Sequence, residues 1–239
     1  MNRERILHKN QIDVVVCQIR FNVIFGIDER MGAIQEDLRS RYPFSSISVE
    51  GEPLLSPGIS PINNYCFESD DRRWKVNITR GFLSISTCAY QNWDDFKDRL
   101  HDVMDIVCKH LKLDSTTRIG LRYINTIRRS RLATYPSDLP EWSDLIDVHT
   151  LGLMGVHANS TNTYSSRIEY EYKESKCCTT SGQIRFNDDE EVGFLIDNDV
   201  FTDKGENVDD VFNILDKFNN ICYELFESMI TDKLMEMMR

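Results

Sequence analysis

No run in the 239 residues approaches the ~18–20 consecutive apolar residues that a membrane-spanning helix requires, so no membrane partner is expected. The charged start Met1-Asn2-Arg3-Glu4-Arg5 is not followed by a long apolar stretch and a small-residue cleavage site, and the expected location is the cytoplasm. Phosphate-cradling loops of the G-x-x-x-x-G-K-[ST] or G-x-G-x-x-G type are missing, as is a G-x-S-x-G nucleophile turn. Their absence excludes the common motif-bearing nucleotide enzymes and hydrolases. The five histidines (His8, His101, His110, His149, His157) show no H-x-x-x-H spacing. The seven cysteines (Cys17, Cys66, Cys88, Cys108, Cys177, Cys178, Cys222) show no C-x-x-C. They read as buried or incidental thiols of a reducing compartment, with neither a metal site nor a cofactor expected. Proline is sparse as well, six in the chain, and five of the six fall in two clusters, at 53, 57 and 61 and at 136 and 140.

The chain carries a net charge of −11. That excess opposes the phosphate backbone, so duplex DNA is not an expected partner. The charge is uneven. Residues 115–137 hold Arg118, Arg122, Arg128, Arg129 and Arg131 and no acid, whereas acids outnumber bases over 168–210. A local arginine patch of this kind suits an acidic protein, an RNA strand or a small anionic ligand.

The elements alternate in period. Residues 12–25 are rich in Val, Ile and Phe and predict a strand, followed by a helix through Met31, Ile34 and Leu38 that Pro43 ends. Residues 51–64 predict a loop. Residues 73–79 and 83–89 alternate about the Arg80-Gly81 turn as a hairpin. Trp93, Phe96, Leu100, Val103, Val107 and Leu111 mark an amphipathic helix with Asn92 as its N-cap. Strands are expected over 118–127 and 167–173, then a second hairpin from 183 to 197 about an acidic turn at Asp188-Asp189-Glu190-Glu191. One long helix is expected from about Asn207 to Met238. Strands joined by hairpins, with few helices between them, give an α+β fold. Mostly antiparallel sheets would carry amphipathic helices on one face, in two similar halves at 1–131 and 149–239 joined by a linker at 132–148. The apolar stripe of the last helix persists almost to the chain end, which suggests self-association or a protein partner there.

The block Gly120-Leu121-Arg122-Tyr123-Ile124-Asn125 is the most site-like. Gly120 leaves room beside Arg118 and Arg122. Arg122 has the fork geometry that grips a carboxylate or phosphate through two hydrogen bonds, and Glu169 is the expected intramolecular partner. The candidate binding residues are Arg118, Arg122, Tyr123, Asn125, Arg128 and Arg129, with an acid cluster of Glu169, Asp197 and Asp199. Asp197-Asn198-Asp199 with Asp203 and Glu206 gathers oxygens that Mg²⁺ or Ca²⁺ would accept, but the spacing is not that of an EF-hand loop and also reads as a solvated strand end and loop.

Tyr90-x-x-Trp93-x-x-Phe96, the Gly120 to Asn125 block, Arg167-x-Glu169, Asp197-x-Asp199 and Phe226-Glu227-x-x-Ile230-Thr231 together resemble an uncharacterised, sporadically distributed bacterial protein family. The resemblance covers nearly the whole chain and implies no catalytic residues. Sporadic distribution implies accessory genes such as those of phage-defence and toxin–antitoxin modules. The expectation is thus a non-enzymatic interaction or regulatory protein, and enzymatic activity is not expected. The rival is a ligand or nucleic-acid binder, or a divalent-metal enzyme, using Arg118, Arg122 and the acids near Asp197.

Overall fold

Alternating and helical periods sort into elements as expected in the computed structural model, which describes residues 9–50, 62–133, 135, 137–157, 163–186 and 191–239. In chain order these are β1 (Ile12–Arg20), α1 (Met31–Leu38), β2 (Phe44–Glu50), β3 (Ile62–Glu68), β4 (Trp74–Thr79), β5 (Phe82–Thr87), α2 (Trp93–Leu111), β6 (Ser115–Thr116) and β7 (Arg118–Ile127). Four short helices follow: α3 (Arg129–Leu132), α4 (Trp142–Leu145), α5 (Val148–Leu151) and α6 (Leu153–His157). The chain closes with β8 (Ser165–Tyr172), β9 (Ser175–Arg185), β10 (Val192–Thr202), β11 (Glu206–Asn207), α7 (Val211–Met229) and α8 (Asp232–Met238). Among the described residues nine strands hydrogen-bond in the order β2-β3-β4-β5-β1-β7-β10-β9-β8, and β6 pairs separately with β11. The fold is α+β with a large antiparallel sheet.

The topology repeats. A lone strand (β1, then β7) is followed by a run of strands whose last member, β5 or β10, returns to lie beside it, and each run is closed by a helix of 19 residues. The compact units do not divide at residues 132–148, however. One unit is Val14–Leu121 with Phe201–Lys217; the other joins Arg122–Val200, Phe218–Arg239 and the segment before Val14.

In the first unit, Val15, Cys17 and Ile19 of β1, Val76 and Ile78 of β4, and Leu83 and Ile85 of β5 are all buried. So are Phe96, Leu100, Val103, Met104 and Val107 on the apolar stripe of α2. The Asn92 side chain caps that helix by accepting from the Asp95 N–H at 2.9 Å, and Lys112, at φ 54°, closes it in the left-handed region.

The second unit corrects two expectations. Residues 132–148 contain core rather than linker: Leu132, Trp142, Leu145 and Ile146 are buried in one cluster with Phe194, Ile196, Phe226 and Leu234. The terminal helix is two helices. Ile230 leaves α7 to bridge Ile146, and Thr231 accepts from the Leu234 N–H at 3.2 Å, starting α8 as a new N-cap. Asn207 caps the short turn ahead of α7 instead of a helix of ~30 residues. The apolar residues that pointed to a partner are spent at home, since Leu234 and Met238 are fully buried and Met235 nearly so. The expected loop at 51–64 and the acidic turn at 188–191 lie largely outside the described residues.

Because α8 fills this core, deleting residues 231–239 should unfold the second unit rather than merely detach a partner. Leu234→Ala should cost about 2–5 kcal/mol in urea denaturation. An unchanged midpoint would show that α8 lies on the surface.

Candidate functional site

Alternation along β7 and β10 builds the site. Tyr123 and Ile127 on β7 are buried, as are Phe194, Ile196 and Val200 on β10. Arg122 and Asp197 take the opposite face. There Arg122 Nε donates to Asp197 Oδ1 at 2.7 Å and Nη2 donates to Oδ2 at 2.5 Å, a bidentate fork. The Arg122 side chain stays 47% exposed while that of Asp197 is 11% exposed. The expected partner Glu169 is therefore replaced by Asp197. The cause is strand order: β10 lies between β7 and β9, and β8 lies beyond β9. Glu169 is instead held by its own strand neighbour, Arg167 Nη2, at 2.7 Å.

These groups form a row across β7, β10, β9 and β8. Glu169 is the cross-strand partner of Cys178. The Asp197 hydrogen bonds hold the Arg122 guanidinium still further above its ordinary value, and the charge of Asp199 adds to that effect. The Arg167 guanidinium is raised in the same direction, by Glu169 first and more weakly by Asp197. The row therefore sets two arginines, Arg122 and Arg167, among three acids, Asp197, Asp199 and Glu169, along a sheet face.

The remaining candidates go elsewhere. Arg118 folds back over its own strand, and a Cβ at Gly120 would lie 2.5 Å from Arg118 Nη1. The space at Gly120 is thus filled from within the chain. The Arg118 guanidinium also stacks 4.5 Å from the Phe201 ring centre. Tyr123 and Asn125 point to the buried face. The Tyr123 hydroxyl donates to Asn219 Oδ1 at 2.8 Å, and Asn125 Nδ2 donates to the Ile196 carbonyl at 3.4 Å. Arg128 lies over the Phe186 ring and near Glu191, and Arg129 over Trp142. Four arginines of the run, Arg118, Arg122, Arg128 and Arg129, thus have aromatic or acidic neighbours within the chain.

One buried group escaped sequence reading. The Thr179 hydroxyl donates to Asn198 Oδ1 at 2.8 Å and lies 3.1 Å from the Tyr170 hydroxyl. Asn198 is 1% exposed and its Nδ2 has no hydrogen-bond partner. Nothing short of knowing that β8, β9 and β10 are neighbours would bring these three together.

Among the described residues no three His, Cys, Asp or Glu side chains converge in a way that would hold a metal ion. Asp197 faces Arg122, and Glu206 belongs to β11. No helix is long and apolar enough to cross a membrane among those residues. The buried thiols are pushed away from reactivity. Burial raises Cys17 and Cys222, and it raises Cys177 to about 11 with help from the Asp199 charge. Cys177 and its neighbour Cys178 lie on opposite faces of β9, one buried and one half-buried. For Cys178, burial raises the thiol most, Arg167 pulls it back, and Glu169, Asp199 and Asp197 raise it again.

Neither the family models nor the curated proteins compared with this sequence give a match. The motifs that carried the resemblance divide by role. Trp93 stacks on Phe96 at 5.9 Å with Tyr90 also against Phe96, and Phe226 and Ile230 are buried in the second unit. Arg122, Arg167, Glu169, Asp197 and Asp199 make the charged row.

Labelling of the native protein at pH 8 with a disulfide reagent should tag exposed Cys88 first and leave Cys17, Cys177 and Cys222 untouched until the chain unfolds. Rapid labelling of Cys177 would contradict the burial described.

Proposed function

We propose that the chain is a non-enzymatic interaction protein. The supporting observation is the Arg122–Asp197 fork, which commits the two most site-like side chains to each other. An arginine waiting for a phosphate, or an aspartate waiting for a divalent cation, would give up a bidentate bond to accept its ligand. A row of mixed charges on a sheet suits reciprocal polar contacts with another protein surface, where charge arrangement sets register and partner choice. The resemblance to a sporadically distributed bacterial family supports a cytoplasmic subunit or regulator in a phage-defence or toxin–antitoxin system. The rival reading, a binder of RNA or a small anion or a metal-dependent enzyme at Arg118, Arg122 and Asp197, rests on the same residues.

Calorimetric titration with Mn²⁺ and with a short single-stranded RNA discriminates the two. The interaction reading expects no saturable binding tighter than roughly 1 mM for either, together with a stoichiometric complex when the chain is co-expressed with the products of its neighbouring genes. Saturable binding that Asp197→Asn or Arg122→Ala abolishes would overturn it in favour of the rival.

A further inference from the structure

β8 stands at one end of the sheet order, and among the described residues no strand pairs with its outer side. It is eight residues long with no proline, and its pairing with β9 runs from Ser165↔Gly182 to Tyr172↔Ser175 without interruption. Such an edge is a template for another strand unless something blunts it. Its far end is anchored, because Lys173 Nζ donates to both carboxylate oxygens of Glu224 on α7 at 2.7 and 2.6 Å.

The hydrogen-bond parity of this edge follows from its inner pairing. The Gln183 N–H donates to the Tyr164 carbonyl at 2.9 Å, and the register of β8 on β9 extends to place Tyr164 opposite Gln183. In an antiparallel ladder, paired residues exchange hydrogen bonds at every second position. Ser166, Ile168, Tyr170 and Tyr172 therefore direct their backbone groups to β9. Ser165, Arg167, Glu169 and Glu171 turn theirs to the free side.

We propose that the free edge of β8 pairs antiparallel with β8 of a second copy of this chain, about a two-fold axis at Ile168. In that register Arg167 of each copy faces Glu169 of the other at the hydrogen-bonded positions, so two backbone bonds and one ion pair form on either side of the axis. Ile168, 54% exposed in the single chain, meets its own copy at the central position. That position is a close, non-hydrogen-bonded one, with Cα atoms about 4.5 Å apart. Ser165 then faces Glu171. Moving the axis by one residue sets Arg167 against Arg167, or Glu169 against Glu169, so the charges select one register. In the single chain Arg167 and Glu169, each more than 60% exposed, neutralise each other at 2.7 Å. The second copy exchanges those two pairs for two intermolecular ones. The occupant is thus a second copy because the edge is complementary to itself.

Sedimentation of the full chain from low micromolar to hundreds of micromolar tests this. A monomer–dimer equilibrium is expected. Arg167→Glu and Glu169→Arg should each weaken it by about a hundredfold or more, since each sets like charges opposite one another twice. The doubly reversed chain R167E/E169R restores both pairs and should dimerise like the wild type. Circular dichroism of the variants should match the wild type, because both side chains are exposed. Hydrogen exchange adds a second measure: the amides of Arg167 and Glu169 should gain protection with concentration, and those of Ser166 and Tyr170 should not. A chain that stays monomeric throughout overturns the proposal. So does a dimer indifferent to the single reversals, or a double reversal that fails to rescue.

Discussion

Strict two-residue alternation along β7 and β10 is the constraint on which the rest depends. Because successive side chains leave a strand on opposite faces, Tyr123 and Ile127 or Phe194 and Ile196 can be buried only if Arg122 and Asp197 are sent the other way. Neighbouring strands bring those charges into reach. A partly buried aspartate beside an arginine is then satisfied without cost to the apolar side. The same alternation explains Gly120, which yields its side-chain space to the Arg118 guanidinium two residues back.

Much of this was legible in sequence. The helix through Trp93 and Leu111 was readable from its stripe and cap, and strand β7 from the block at Gly120. The Arg80-Gly81 hairpin carried a recognisable turn. Other features left no such trace. The β8–β9 hairpin turns through Lys173 and Glu174, both at positive φ and neither a glycine, so the usual turn signal is missing. The break at Ile230 and Thr231 interrupts no periodicity, because Leu234 and Met238 continue the apolar stripe while belonging to a separate helix.

The charged row was legible in membership but not in pairing. Arg122, Glu169, Asp197 and Asp199 were all singled out, yet which acid holds Arg122 depends on sheet order, and sheet order is a long-range property. With β10 placed between β7 and β9, Asp197 is the near acid and Glu169 the far one. Tyr123 and Asn125 share the block with Arg122, but odd and even positions divide them between the two faces. Sequence proximity alone made them a cluster.

The central claim is that Arg122 and Asp197 serve each other. A double-mutant cycle over Arg122→Ala, Asp197→Ala and the double variant measures this most directly, by urea denaturation at neutral pH and physiological salt. With Arg122 half-exposed and Asp197 nearly buried, the coupling should be about 1–2 kcal/mol, within the range for charge-assisted hydrogen bonds after allowance for solvent screening. Additive effects, with no coupling, would contradict the claim and return both residues to the service of a ligand.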